Sequence, residues 1–143
     1  VPSGSEELLR TLEAAALTVL AGSALDEAVE LTLALTDDAE IQELNLQYLG
    51  IDAPTDVLSF PAGEKDPESG ALYLGDVVLS YPRAAEQAAA GGHPVAAELQ
   101  LLVVHGVLHL LGHDHAEVQE KQQMWALQER FLEQLHCPAR PLE

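Results

Sequence analysis

Apolar residues recur along the chain with two different spacings, and these predict both strands and helices. Between residues 29 and 35 every second residue is an apolar Val or Leu, which is typical of a half-buried strand. Three shorter apolar runs predict further strand segments, at residues 57–60, 72–74 and 77–80. Pro61 ends the first of these runs, and Gly75 with Asp76 joins or interrupts the other two. We therefore expect a small mixed sheet of about four strands, in which residues 77–80 are apolar enough to be central.

The rest of the chain carries apolar residues at helical spacing, and Gly, Pro and Asp mark most of the boundaries. The predicted helices are one that Gly22 ends, one between Thr36 and Gly50, one from Pro82 to Gly91, one from Pro94 to Leu111 and one from about Ala116 to Leu135. Gly112 is a C-terminal stop for the fourth helix. Tyr48 is expected on the inner face of the second helix, and Val118 and Trp125 on that of the last. The sequence thus predicts the α+β class, with helices covering the sheet in one domain over residues 1–143.

The composition is that of a soluble globular protein, with 48% hydrophobic and 21% charged residues among 143. Cys137 is the only cysteine, so an intramolecular disulfide is excluded and a reducing, cytoplasmic location is expected. No signal peptide is visible. The longest uncharged run lies between Glu98 and Asp114 and is shorter than the about 20 residues that a membrane span needs. We interpret it as a buried core helix and expect no membrane partner.

The charge is strongly acidic, with 24 Asp and Glu residues, six Lys and Arg residues and a formal net charge of −18. Proteins that bind nucleic acid tightly and without specificity usually present a basic surface, because they neutralise phosphates. This chain has too few basic residues to build a large one. The charge favours solubility and basic protein partners instead.

The segment HGVLHLLGHDH, residues 105–115, carries the strongest chemical signal. His105 and His109 are four residues apart, which places both imidazoles on one face of a helix, where they can share a metal ion. Gly112 can adopt a positive φ and turn the chain back, so that His115 approaches the same point. Three histidines and an open position are typical of a catalytic zinc site. Nickel, cobalt, copper and iron are alternatives to zinc.

The residue after the first histidine separates this motif from that of the metzincin proteases, which share the spacing H-x3-H-x5-H and the glycine. Those enzymes have a glutamate there as general base, whereas this chain has Gly106. Asp114 is the nearest carboxylate, either as a partner or proton acceptor of the site or as a cap of the turn. His113 is interpreted as a bystander and His93 as a loop or capping residue. His136 and Cys137 are expected in a loose C-terminal tail.

HGVLHLLGHDH resembles the signature H-G-x-L-H-L-x-G-x-D-H of the YbeY family of bacterial rRNA-maturation endoribonucleases. Two further blocks resemble the family in the same order, PTDVLSFP at residues 54–61 and LGDVVLS at residues 74–80. The resemblance covers about residues 25–135. It implies an α+β fold and zinc held by His105, His109 and His115. It further implies a single-strand-specific endoribonuclease in 16S rRNA 3′-end maturation and ribosome quality control, with rRNA or the small ribosomal subunit as partner.

One departure from the family pattern concerns positive charge. Members of the family typically carry an arginine directly after the tyrosine that corresponds to Tyr48, and this chain has Leu49 at that position. The family often has a lysine before the proline that corresponds to Pro54, and this chain has Ala53 there. Phosphoryl transfer needs positive charge on the phosphate oxygens. Either Arg83 replaces the arginine, or nuclease activity is low, or the chain is a ribosome-associated metalloprotein that docks on basic ribosomal proteins. After the endoribonuclease and the ribosome-associated metalloprotein, a metallopeptidase is the third candidate function, and Gly106 argues against it.

Overall fold

The computed structural model describes residues 5–23, 25, 27–113 and 117–140. Over this part of the chain the α+β prediction is confirmed, with five helices and a mixed sheet of three strands. The elements are α1 (Ser5–Ala21), β1 (Val29–Thr36), α2 (Asp38–Leu49), β2 (Val57–Lys65), β3 (Leu72–Ser80), α3 (Tyr81–Gly91), α4 (Val95–Leu110) and α5 (Val118–Gln134).

The sheet has the order β1-β3-β2, with β1 parallel and β2 antiparallel to the central β3. The expected count of about four strands is not confirmed: the described residues form three, because residues 72–80 form one continuous strand, in which the two predicted segments are joined. Gly75 lies inside this strand with φ +137° and is paired with Pro61 and Leu31. A Cβ atom at Gly75 would overlap the carbonyl oxygen of Phe60. The glycine therefore permits a close approach of two strands, and it does not end one.

β2 extends further than the sequence predicted. Pro61 was expected to end it, but the strand continues to Lys65. β2 is an edge strand, and its register against β3 shifts between Pro61 and Glu64. Proline is tolerated at sheet edges and at such irregularities because no ladder hydrogen bond is lost there.

α4 is the centre of the main core, with eleven of its sixteen residues buried. It lies on one face of the sheet, in contact with β2 and β3, and the helices α1, α3 and α5 pack around it. Within the described part of the chain, no helix combines the length and the apolar character that crossing a bilayer requires. The expectation of a buried core helix is confirmed.

α2 covers the opposite face of the sheet through a smaller cluster that contains Ile41, Leu58 and Val78. Tyr48, predicted on the inner face of α2, is 60% exposed, and its ring contacts that of Phe60 on β2 edge to face with the centroids 5.4 Å apart, so it lies at the margin of that face and is not buried. Val118 was also expected inside and is 73% exposed at the first residue of α5. Both residues lie at or next to the end of a helix.

The predicted helix boundaries at Asp37, Gly50 and Gly112 are confirmed. The Asp37 side chain accepts a hydrogen bond from the backbone N–H of Glu40 at 2.9 Å, which caps α2. Gly50 ends that helix with φ +73°. Gly112 has φ +98°, and the next backbone N–H, that of His113, donates to the carbonyl oxygen of Leu108 at 3.0 Å. This pattern closes α4 and turns the chain away from its axis.

Cys137 is not in a loose tail, as the sequence suggested. It is 4% exposed, and its thiol donates a hydrogen bond to the carbonyl oxygen of Ala97 at 3.3 Å. Burial raises the pKa of the Cys137 thiol above its ordinary value. The segment after α5 is therefore packed against the beginning of α4.

We predict that native Cys137 reacts slowly with an aromatic disulfide reagent. At pH 8 the rate should be roughly 100-fold or more below that of the denatured chain, because the thiolate forms reluctantly in a buried site and exposure requires local opening. The measurement is the release of the reagent's chromophore with and without denaturant, with glutathione as control for intrinsic reactivity. Equal rates in the two states would contradict the packing of this segment.

Candidate active site

The side chains of His105 and His109 meet at the last turns of α4. Their Nε2 atoms are 3.1 Å apart, and the ring centroids are 4.6 Å apart at an interplanar angle of 71°. Two nitrogens bound at about 2.0–2.1 Å to one tetrahedral zinc ion would be about 3.3–3.4 Å apart. The observed separation is within a few tenths of an ångström of that value. The pair therefore fits two corners of one metal site.

The remaining predicted site residues of this motif, His115 and Asp114, lie outside the described residues. Among the residues that the structure does describe, no group of three or more His, Cys, Asp or Glu side chains is arranged to hold a metal ion. The turn at Gly112 has the positive φ that the sequence analysis expected. The third histidine ligand stays a prediction, and so does the role of Asp114.

Gly106 fixes how closely α4 approaches the sheet beside His105. The Ser59 hydroxyl on β2 donates a hydrogen bond to the Gly106 carbonyl oxygen at 3.0 Å. A Cβ atom at Gly106 would lie 2.7 Å from Cγ1 of Val77 on β3 and 3.2 Å from Oγ of Ser59. A side chain at this position would force Val77 or the helix itself to move. The glycine is thus required by packing, and it leaves no space for the glutamate of the protease motif.

A cleft with two lobes opens beside the histidines. The first lobe has a volume of about 350 Å³ and is walled by β2, by the end of α2 and by both histidines. Leu49, the position of the family arginine, is part of this wall and is 56% exposed. The position singled out in the sequence therefore does face the histidine pair, although it lies 56 residues before His105 in the chain.

The second lobe has a volume of about 250 Å³ and shares Asp56, Val57 and His105 with the first. Its polar lining was not found by sequence reasoning. Gln87 donates a hydrogen bond from Nε2 to Oδ2 of Asp56 at 3.3 Å. Glu98 is buried, and its Oε1 lies 2.6 Å from Nε2 of His93. These residues come from different helices and loops, so their convergence leaves no local signal.

Gln128 on α5 is the other site residue that the sequence analysis missed. Its side chain is buried at 3% exposure, and its Oε1 lies 3.0 Å from Nδ1 of His105. A glutamine at one position of an amphipathic helix carries no sequence signal for such a contact. The contact joins α5 to α4 across 23 residues.

The described lining of the two lobes contains no lysine or arginine. Arg83, the sequence candidate for replacing the family arginine, lies at the start of α3 with its Nη2 3.5 Å from Oδ2 of Asp38. It contributes to neither lobe. Arg83 therefore does not supply the positive charge that Leu49 lacks.

A larger groove of about 650 Å³ lies between α1 and β1, away from the histidines. Its described lining is apolar apart from Thr32, Tyr73 and the carboxyl groups of Glu13, Glu30 and Asp66. The hydrogen bond that the Glu30 carboxyl shares with the Asp66 carboxylate, which accepts it, raises the pKa of Glu30, with a further contribution from desolvation. The groove offers no ligand or nucleophile comparable to the histidine pair, so the smaller cleft is the candidate active site.

Comparison with known proteins gives one consistent family. The sequence model of the family described as Endoribonuclease YbeY matches residues 3–136. The Endoribonuclease YbeY of Mycobacterium tuberculosis is 44% identical over 139 residues, which is 92% of this chain and 78% of the relative. That of Mycolicibacterium paratuberculosis is 46% identical over 123 residues, or 81% and 70% of the two chains. The solution structure of TM1509 from Thermotoga maritima is similar with a TM-score of 0.64 and 32% identity, covering 94% of this chain and 85% of that one.

We predict that Gly106→Ala destabilises the protein, although alanine is the better helix former by about 0.8–1.0 kcal/mol. The added methyl group meets Val77 and Ser59, and overpacking of this kind costs about 1–3 kcal/mol. Chemical denaturation measures the change in the free energy of unfolding.

The matched control is a double-mutant cycle with Val77→Ala, which removes the methyl groups that the new Cβ would meet. The double variant should be more stable than the sum of the two single changes predicts. A Gly106→Ala protein more stable than the original chain would show that the close approach at this position is not tight.

Proposed function

The chain belongs to the YbeY family of endoribonucleases, and from this premise we propose that it is a zinc-dependent, single-strand-specific endoribonuclease. The proposed role is 16S rRNA 3′-end maturation and ribosome quality control in the cytoplasm, with rRNA or the small ribosomal subunit as partner. The observation that carries the proposal is the convergence of the His105 and His109 Nε2 atoms, 3.1 Å apart, at the junction of a two-lobed cleft.

The residues that would hold the metal are His105, His109 and, from the family signature, His115. Neutral imidazoles suit zinc, and nickel or another divalent transition metal is the alternative. A metal ion held there supplies Lewis-acid chemistry to the cleavage of a phosphodiester.

The dimensions of the cleft support a single-stranded substrate. Its lobes of about 350 Å³ and 250 Å³ are near or below the lower end of the about 300–1,000 Å³ typical of sites for drug-sized ligands. Individual unpaired nucleotides fit lobes of this size, whereas a double helix is too wide to enter them. Single-stranded RNA is also the form in which bases can be splayed out and bound separately.

A second candidate function is a ribosome-associated metalloprotein with weak or no nuclease activity. It is favoured by the exposed Leu49 in the wall beside the histidines and by the absence of lysine and arginine from the described lining of the cleft. The net charge of −18 suits docking on basic ribosomal proteins. A metallopeptidase has no such support, since the packing at Gly106 excludes the required glutamate.

We predict that His109→Ala abolishes metal binding and RNA cleavage together. The loss of cleavage should exceed the about 10–100-fold that removing an outer partner of a ligand costs, because a ligand itself is removed. Elemental analysis measures metal per chain, and gel analysis of single-stranded rRNA fragments measures cleavage.

His136→Asn is the matched control, since it removes one histidine from an exposed position after α5 with φ 55°, which asparagine tolerates. It should retain both metal and activity. If the purified chain holds no transition metal and takes up neither zinc nor nickel, the assignment of the site is wrong.

We further predict that Leu49→Arg raises the rate of RNA cleavage by roughly 10-fold or more, because it adds positive charge beside the reacting phosphate. Leu17→Arg is the matched control: Leu17 has the same 56% exposure but lies on α1, beside the other groove. It adds the same charge to the chain away from the histidines.

The pair of variants separates the two candidate functions. Cleavage that appears only with Leu49→Arg favours the metalloprotein with weak or no nuclease activity. Efficient cleavage by the original chain, with no gain from Leu49→Arg, rules that alternative out.

A further inference from the structure

The buried face of α5 contains one polar residue among its buried side chains, which are Met124, Gln128, Phe131 and Leu132. Gln128 is 3% exposed. Burying an amide is unfavourable unless it is hydrogen-bonded, and an apolar residue of similar size would pack at this position without that cost. The partner that the structure gives Gln128 is Nδ1 of His105, 3.0 Å from its Oε1. The contact therefore accounts for a polar residue in an otherwise apolar face.

The chemistry of this contact determines which ring nitrogen of His105 carries the proton. A carbonyl oxygen only accepts hydrogen bonds, so Nδ1 must be the N–H that donates. In a neutral imidazole the lone pair is then on Nε2. Nε2 is the atom that faces Nε2 of His109 at 3.1 Å. The amide on α5 thus leaves the lone pair of His105 at the point where the two rings converge.

We propose that Gln128 is the positioning residue of the site: it holds His105 in the Nδ1–H tautomer and fixes the ring so that Nε2 is presented to a metal ion. The part that concerns metal affinity rests on the proposed function, while the part that concerns the tautomer does not. Outer partners of this kind orient ligating histidines and raise their basicity. Here the partner comes from the helix after the motif, so the packing of α5 on α4 sets the geometry of the site.

Two substitutions separate hydrogen bonding from packing. Gln128→Met keeps an unbranched side chain of similar size and removes the acceptor. Gln128→Glu keeps an acceptor and removes the amide N–H groups. Gln123→Met makes the same change as the first variant on the exposed side of α5 and is the matched control. Thermal unfolding of each variant shows that the comparison is made between folded proteins.

The first measurement is the tautomer in metal-free protein labelled with ¹⁵N in its histidines, by long-range ¹H–¹⁵N correlation at a fixed pH near neutrality. His105 should be in the Nδ1–H form in the original chain, in Gln128→Glu and in Gln123→Met. It should move towards the Nε2–H form in Gln128→Met. An Nε2–H tautomer of His105 in the original chain overturns the proposal, and this result needs no variant to fold.

The second measurement is zinc affinity, by competition with a chromophoric chelator. Gln128→Met should weaken zinc binding by about 10–100-fold, with Gln128→Glu within a few-fold of the original chain and Gln123→Met unchanged. Unchanged zinc affinity in folded Gln128→Met overturns the positioning role, because this variant keeps the size of the side chain and removes only the hydrogen-bond acceptor. Failure of the original chain to bind zinc or nickel overturns the proposed function instead, and the tautomer then still decides the role of Gln128.

Discussion

The close contact between α4 and the sheet at Gly106 is the constraint on which the rest of the structure depends. Ser59 and Val77 occupy the space that any side chain at Gly106 would need, so the helix lies directly on β2 and β3. With eleven of its sixteen residues buried, α4 serves as the axis around which α1, α3 and α5 pack. The histidines at its end consequently emerge into a cleft walled by β2, and not into open solvent.

That placement limits what the histidine pair can be. Two imidazoles with facing Nε2 atoms 3.1 Å apart must share a proton or an ion, because two lone pairs pointing at each other repel. Gln128 engages the far nitrogen of His105 and so decides which of its nitrogens faces His109. The buried helix, the glycine contact and the amide on α5 act on the same few atoms. The site is therefore a consequence of how three elements pack, in addition to the spacing of its histidines.

The parts of this structure that the sequence could predict are those governed by neighbours in the chain. Caps at Asp37, Gly50 and Gly112 act within a few residues, and the pairing of His105 with His109 follows from one helical turn. What could not be predicted depends on contacts between distant segments. Gly75 lies within a strand, where it permits the close approach of Phe60 from β2, and Tyr48 and Val118 are largely exposed near the ends of their helices.

The same reasoning applies to the cleft. Leu49, Asp56 and Gln87 reach it from separate elements, and Gln128 contacts His105 across 23 residues. The spacing of residues in the sequence does not predict such contacts, because each residue is compatible with an ordinary surface or core position in its own helix or loop. Leu49 drew attention because the family has an arginine at this position, and not because of any pattern within this chain. The structure adds a physical reason, since Leu49 lines the cleft beside the histidines.

The acidic charge of the chain bears on how RNA would reach the cleft under the proposed function. Both this chain, at −18, and RNA are polyanions, and their repulsion extends over a Debye length of about 8 Å at physiological ionic strength. Under the proposed function, attraction to the phosphate is confined to the immediate surroundings of a bound ion, so the chain cannot gather free RNA by its own field. Contacts with basic proteins of the ribosome would then bring the substrate to the cleft, and the acidic surface favours those contacts. An arginine beside the histidines would in that case serve the chemical step more than binding. Under the proposed function, leucine at position 49 would therefore lower the rate at which a delivered strand is cut, and not the affinity with which it is held.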